Sequence, residues 1–299
     1  MIKSMVIIGI VLACCAGARA DYLSDRKAAL ELVKGGKNDE ALSLFTKMAA
    51  SAASDLQKSD ALEQAVGCAN RLKQYDRALE LAKAIPLPAV SKKCRMTLLS
   101  GNGKYGDLIA EFKAEDLVQW PESMRGEAFF IRGMAFFQLK DGPAAVADLQ
   151  KSLEYSRDTF TLRDIYTPGI AWLRLGDTHR NLLKDDPKAL EAYTEAIKLM
   201  NAGGGYYFMF AVRSAAQILC KQGKYDEAFE VFGKIDHHKN LEGPQVVDFY
   251  CEYGETLASQ GKKAEAIARF NKALGIRGAT DAQKAACEKR IKELQGKAE

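Results

Sequence analysis

The chain has 299 residues, 47% of them hydrophobic and 27% charged, with 7 Pro, 24 Gly and a formal charge of +4. That composition excludes disordered, collagen-like and multi-span membrane chains, and the length allows either two compact domains or one elongated array. The near-neutral balance and the absence of any Lys/Arg run argue against nucleic acid as a partner, because phosphate contacts call for a basic stripe.

The first segment is an apolar run from Met5 to Gly17, behind Lys3 and ahead of Ala18-Arg19-Ala20. It reads as a cleavable secretory signal peptide over residues 1–20, with a basic start, a short apolar centre and an A-x-A cleavage site. As a helix the run covers about 20 Å, short of the roughly 30 Å hydrocarbon core, so no integral membrane span is expected in the mature chain. A lipoprotein anchored at Cys14 after Val11-Leu12-Ala13 is the alternative; it leaves a very short apolar segment and sets Leu12 awkwardly. Export would place the chain in the periplasm or outside the cell. Losing Lys3 and Arg19 would lower its charge to +2. The mature cysteines are Cys68, Cys94, Cys220, Cys251 and Cys287, with no C-x-x-C among them. They are expected as small buried residues; one pair could form a bridge, and at least one thiol stays free.

From Asp21 onward the dominant signal is self-similarity. Gly223-Lys224-Tyr225-Asp226-Glu227-Ala228 aligns with Gly261-Lys262-Lys263-Ala264-Glu265-Ala266, with Gln74-Tyr75-Asp76-Arg77-Ala78 and with Gly36-Lys37-Asn38-Asp39-Glu40-Ala41. Before each turn apolar or small residues recur at i, i+3, i+4, i+7, and after it at i, i+4, i+7. These are helical stripes, so each unit is a helix, a short turn and a second helix. The residues after the turns fall at 41, 78, 108, 145, 189, 228 and 266, which gives about seven units separated by 30 to 44 residues. Small residues such as Gly133, Gly176, Gly254, Ala228 and Ala266 are expected where the two helices of a unit approach closely. Phe45, Phe112, Phe232 and Phe270 are expected to fill the space between units.

In this pattern the chain resembles the tetratricopeptide repeat, W-x2-L-G-x2-Y followed by A-x3-F. Trp172, Leu175, Gly176 and His179, followed by Ala189, Tyr193 and Ala196, give the fullest match, with one extra residue in the turn near Asp185-Asp186-Pro187. Gly254, Ala266 and Phe270 carry the pattern in the last unit, and Ala228 and Phe232 in the one before. The resemblance implies an all-α, right-handed superhelical solenoid of antiparallel helix pairs. Its repeats run over about 23–52, 60–86, 91–117, 124–155, 169–201, 206–236 and 246–276, with a capping helix at 281–295. Thr280-Asp281-Ala282-Gln283 reads as that helix's capping box, and Asp60 and Glu63 are expected to open a helix over Ala61–Leu72 in the same way. The stretch 156–169 and Gly203-Gly204-Gly205 read as interruptions.

Chemistry is sparse. Gly101-Asn102-Gly103-Lys104-Tyr105-Gly106 spells G-x-G-x-x-G, but it sits where a repeat's turn belongs and lacks the preceding strand of a dinucleotide site. His179 is expected in the core with a satisfied ring nitrogen, and His237 and His238 in a solvated loop. No catalytic residue, metal ligand or cofactor is assigned, and no enzymatic activity is expected.

The resemblance instead implies a concave groove, lined by the first helix of each unit, that takes another protein or an extended peptide. Phe130, Met134 and Phe137 form a second apolar stripe that falls on this lining; the alternative is that segment 156–169 covers it. The next two units contribute Arg174, Asp177, Arg180 and Asn181, then Phe210, Arg213 and Gln217. Such a lining suits an apolar peptide carrying a carboxylate. Tyr206-Tyr207-Phe208-Met209-Phe210 is expected mainly as inter-repeat core. Capture of a glycan or small ligand, and a structural role in envelope assembly, are the other functions this lining allows.

Overall fold

The computed structural model describes residues 21–155, 168–200, 205–237 and 241–296. The expected signal peptide, most of the 156–169 segment, Gly203, Gly204 and His238 lie outside them. Every regular element among the described residues is helical. They run α1 (21–34), α2 (Asn38–Ala50), α3 (Asp55–Arg71), α4 (Tyr75–Lys83), α5 (Pro88–Gly101), α6 (Tyr105–Glu111), α7 (Ala114–Leu117), α8 (Glu122–Gln138) and α9 (Gly142–Tyr155). They continue with α10 (Pro168–Thr178), α11 (Asp186–Met200), α12 (Gly205–Lys221), α13 (Tyr225–Gly233), α14 (Pro244–Ser259), α15 (Lys263–Leu274) and α16 (Asp281–Leu294). The chain is thus all-α and built of consecutive helix pairs.

One backbone device makes the pairs. Each first helix ends in a residue with positive φ: Gly36, Lys73, Gly103, Lys140, Lys184, Gly223 and Gly261, all between 57° and 76°. At six of the seven, the next amide bonds back five residues, as in Lys224 N–H to Leu219 O and Lys262 N–H to Leu257 O, and the positive-φ residue's own amide bonds the carbonyl three before it. This Schellman closure satisfies the orphan carbonyls of the helix end and reverses the chain in two residues. Gly103 is one of the seven, so the G-x-G-x-x-G string is a hairpin turn between α5 and α6.

The seventh turn differs. Residues His179–Leu183 form a π-helical segment after α10, closed by Lys184, and Asp185 N–H bonds His179 O. The extra residue visible in the sequence is absorbed there as a wider turn, which keeps the two helices of the hairpin in register.

The chain divides into two compact units, residues 1–135 and 136–299. In the first, α2 packs on α3, α3 on α4 and α5, and α5 on α6. Ala41, Phe45, Ala61, Ala65, Cys68, Ala78 and Ala82 are fully buried there, small side chains around one large ring. The helix α3 begins six residues earlier than its charges suggest. Ser54 is its N-cap, accepting from Gln57 N–H. Asp60 is instead a mid-helix anchor for α1, taking Arg26 Nε at 2.6 Å and the Tyr22 hydroxyl at 2.8 Å. The carboxylate that looks like a cap lies within α3 and pairs across to α1, while Ser54 and Gln57 make the cap upstream.

In the second unit α10 packs on α9 and α11, α12 on α11 and α13, α14 on α15, and α16 on both α14 and α15. The small-residue positions act as expected. A Cβ on Gly176 would lie 2.6 Å from the buried ring of Tyr193, and one on Gly254 would lie 3.0 Å from Phe270. Phe270 therefore fills its own hairpin rather than the space between hairpins. Phe232 does join neighbours, stacking on Tyr253 at 4.8 Å and meeting Phe249 edge-on at 5.5 Å. The capping box of α16 is present in full between Thr280 and Gln283.

Candidate recognition surface

Side by side in the second unit run the first helices of successive hairpins, with α12 in contact with both α10 and α14. Along α12 the spacing i, i+4, i+7, i+11 puts Tyr206, Phe210, Arg213 and Gln217 on one stripe. The opposite faces of α12 are core: Phe208, Met209, Ala211, Val212, Ala216 and Leu219 are buried. The dense aromatic run that opens α12 therefore splits. Phe208 and Met209 go inward, while Tyr206, Tyr207 and Phe210 remain 45%, 37% and 39% exposed.

The exposed aromatics are held in place. The Tyr206 hydroxyl donates to the Glu242 carbonyl at 2.6 Å. The Arg174 guanidinium, from α10, lies 6.0 Å from the centroid of the Tyr207 ring. Aromatic rings fixed in this way present apolar area at little entropic cost, which is what an anchor for a partner's side chain requires.

The charged half of the surface is internally neutralised. Arg213 Nε donates to Glu252 Oε2 at 2.5 Å, and Gln217 Nε2 donates to the other oxygen at 2.5 Å, tying α12 to α14. Arg174 Nη1 donates to Asp177 Oδ2 at 3.0 Å, and the Tyr193 hydroxyl donates to Oδ1 at 2.9 Å. Burial raises the Asp177 carboxyl above its ordinary range, and Arg174 and Tyr193 pull against that without cancelling it. Arg174 and Arg213, expected beside a ligand carboxylate, each pair with an acid of the chain itself. Arg180 and Asn181 lie in the π-helical turn, half-buried and exposed respectively.

Phe130, Met134 and Phe137 are each half-buried on α8. Phe130 and Met134 belong to the first unit and Phe137 to the second. Lys140 Nζ sits 5.6 Å from the Phe137 centroid, covering that ring. The sequence reading expected Tyr206 and Tyr207 mainly as core, where they are exposed, and did not find Glu252 as the partner of Arg213. Hydropathy cannot separate adjacent aromatics that point to opposite faces; only the phase of α12 does.

His179 is buried, but its Nδ1 has no hydrogen-bond partner, contrary to the expected satisfied ring, and burial lowers its pKa. His237 closes a short 3-10 turn, Lys234–His237, rather than standing in an open loop. Among the described residues no group of three or more His, Cys, Asp or Glu is placed to hold a metal ion. No helix among them is long and apolar enough to cross a membrane.

Hairpins closed by a common turn and packed on their neighbours within each unit define a helical-repeat scaffold, in which a hairpin needs its neighbours to bury its stripe. Within that class, the family model for the tetratricopeptide repeat matches residues 247–280, covering most of α14, all of α15 and the turn beyond. A PPR-repeat model matches residues 214–238, over α12 and α13. Among solved structures, the C-terminal part of a TPR repeat-containing protein from Cytophaga hutchinsonii is similar at 16% identity and TM-score 0.53, over 87% of this chain and 98% of that one. A tetratricopeptide repeat protein from Parabacteroides merdae aligns at 15% identity and TM-score 0.48, over 92% and 98%. No curated protein matches the chain in sequence.

Proposed function

We propose that the chain is a non-enzymatic scaffold that binds another protein through the first-helix row of its second unit, with the exposed edge of α12 as the anchor. The observation that carries this reading is the set of three exposed aromatics, Tyr206, Tyr207 and Phe210, the first two held by Glu242 and Arg174, on a helix whose other large apolar side chains are buried. The partner is an extended or helical peptide with an apolar side chain to lay on these rings. Because Glu252 and Asp177 already neutralise the neighbouring arginines, recognition rests on apolar area and backbone hydrogen bonds rather than on a ligand carboxylate. The basic, apolar and small-residue order of residues 1–20 supports action outside the cytoplasm, after export.

Display of a random peptide library against the purified chain tests this reading. Selected peptides should share an apolar anchor and lose about tenfold or more in affinity for a Tyr206→Ala/Phe210→Ala variant, as hot-spot aromatics do. The variant should keep the parent's helical circular dichroism. Peptides that bind parent and variant equally would move the site elsewhere.

A further inference from the structure

The three rungs between α14 and α16 have a covalent consequence at the middle one. Gln283 Nε2 donates to Asp248 Oδ1 at 2.6 Å, and Arg290 Nε donates to the Glu255 carboxylate at 2.8 Å. Between these two, Cys287 Sγ lies 3.0 Å from Cys251 Sγ. On α16 the positions 283, 287 and 290 follow i, i+4, i+7, and on α14 the positions 248, 251 and 255 follow i, i+3, i+7. Each set is one helical stripe, so the polar rungs above and below fix the register that brings the sulfurs together. The other three described cysteines, Cys68, Cys94 and Cys220, have no such neighbour.

We infer that Cys251 and Cys287 are an oxidation site that closes to a disulfide and pins the capping helix α16 to the last hairpin. The sulfurs need to approach by about 1 Å to reach bonding distance. The oxidant required is a disulfide of low molecular weight or its protein equivalent. One thiol, as thiolate, attacks the oxidant's S–S bond, forms a mixed disulfide and expels one thiol. The second thiolate then attacks the protein sulfur of that mixed bond and expels the other. Two protons and two electrons leave the pair, and the oxidant is reduced to two thiols.

The surroundings favour a lasting bond over a cycling one. Cys287 is 1% exposed. A cleft of about 190 Å³, lined by Cys251, Phe270, Cys287 and Arg290 among others, gives a small oxidant access to the pair. Burial, together with the neighbouring Cys287 thiol, pushes the Cys251 thiol up to about 12, which slows the closing step and also makes Cys251 a poor leaving group, so the closed bond resists attack by external thiols. The bond would close the stretch from 251 to 287, constraining the unfolded chain and suppressing fraying of α16, whose apolar contact is small: Cys287 is its sole fully buried residue.

The test incubates the full chain in glutathione buffers, from fully reduced to mostly oxidised, followed by alkylation under denaturing conditions and peptide mass mapping. The expected product is a Cys251–Cys287 cross-linked peptide, with Cys68, Cys94 and Cys220 recovered as alkylated thiols. Hydrogen exchange of α16 amides should slow on the order of a hundredfold in the oxidised chain. Cys251→Ser and Cys287→Ser, made separately, should each abolish that slowing. Recovery of both cysteines as free thiols in oxidising buffer, their retention as mixed disulfides with glutathione, a bridge to another cysteine, or a bridge that leaves α16 exchange unchanged would each overturn the inference.

Discussion

Gly176 shows how a single atom decides the sign of an effect. A mid-helix glycine costs about 1 kcal/mol relative to alanine, so Gly→Ala should stabilise wherever space allows. At Gly176 the added methyl would lie 2.6 Å from the ring of Tyr193, a fully buried side chain that also donates to Asp177 and has nowhere to go. Gly176→Ala should therefore destabilise by about 1–3 kcal/mol. Gly67, in the middle of α3, meets only the flexible tip of Arg71 at 3.6 Å, and Gly67→Ala should stabilise by roughly 0.5–1 kcal/mol. Urea unfolding of the two variants checks both signs. The same reasoning applies to Lys73 and Lys184, which hold left-handed φ of 59° and 57° at turns where other hairpins use glycine. Lys73→Gly or Lys184→Gly should raise stability by about 0.5–1 kcal/mol, read as a higher unfolding midpoint. At this scale the small positions were legible, because Gly176 and Gly254 stand in the repeat's fixed slots. The partner of each was not always so: Phe270 looked like an inter-hairpin filler, and only the geometry shows its ring lying on Gly254.

Between elements, the clearest polar joint ties the 3-10 turn Lys234–His237 to α15. Asp236 accepts from Arg269 Nη1 and Lys272 Nζ, each at 2.6 Å, while those cations lie over Tyr253 and Tyr250. Burial pushes the Asp236 carboxyl upward, yet the hydrogen bonds from Lys272 and Arg269 outweigh it and hold the group below the ordinary carboxylate range. A folded pKa depressed below the unfolded value gives stabilisation that is complete above about pH 5 and lost as pH falls through the folded value. Asp236→Asn should thus cost about 1–2 kcal/mol at pH 7, with the gap to the parent closing below about pH 4. Unfolding titrations at pH 7 and at successive steps below pH 4 follow the gap as it closes. Helix identities were readable from periodicity at this scale, and the α16 capping box was readable letter by letter. The start of α3 was not: Asp60 and Glu63 mimic a capping box, and only the competing Ser54-to-Gln57 bond and the long-range pairing of Asp60 with Arg26 reveal the earlier start.

For the molecule as a whole, the repeat carried the reading. Seven similar turns announced helix pairs, and the structure closes each with one positive-φ residue, so fold class followed from local sequence alone. Division into two units at Ala135 left no mark in composition, because α8 runs through the boundary as one continuous helix. The surface was half legible: helical spacing puts Phe210, Arg213 and Gln217 on one stripe of α12 and Arg174 three residues before Asp177, but the pairing of Arg213 and Gln217 with Glu252 spans 39 and 35 residues, which spacing does not encode.

The central claim is that a partner peptide lies on the exposed edge of α12. Its most direct test replaces Phe210 with a photoreactive phenylalanine and, separately, does the same at Ser43 on the second helix α2, then irradiates each chain with a peptide selected from the display library. The account predicts strong cross-linking from position 210 and none above background from position 43. Equal cross-linking from both, or labelling from position 43 alone, would contradict it.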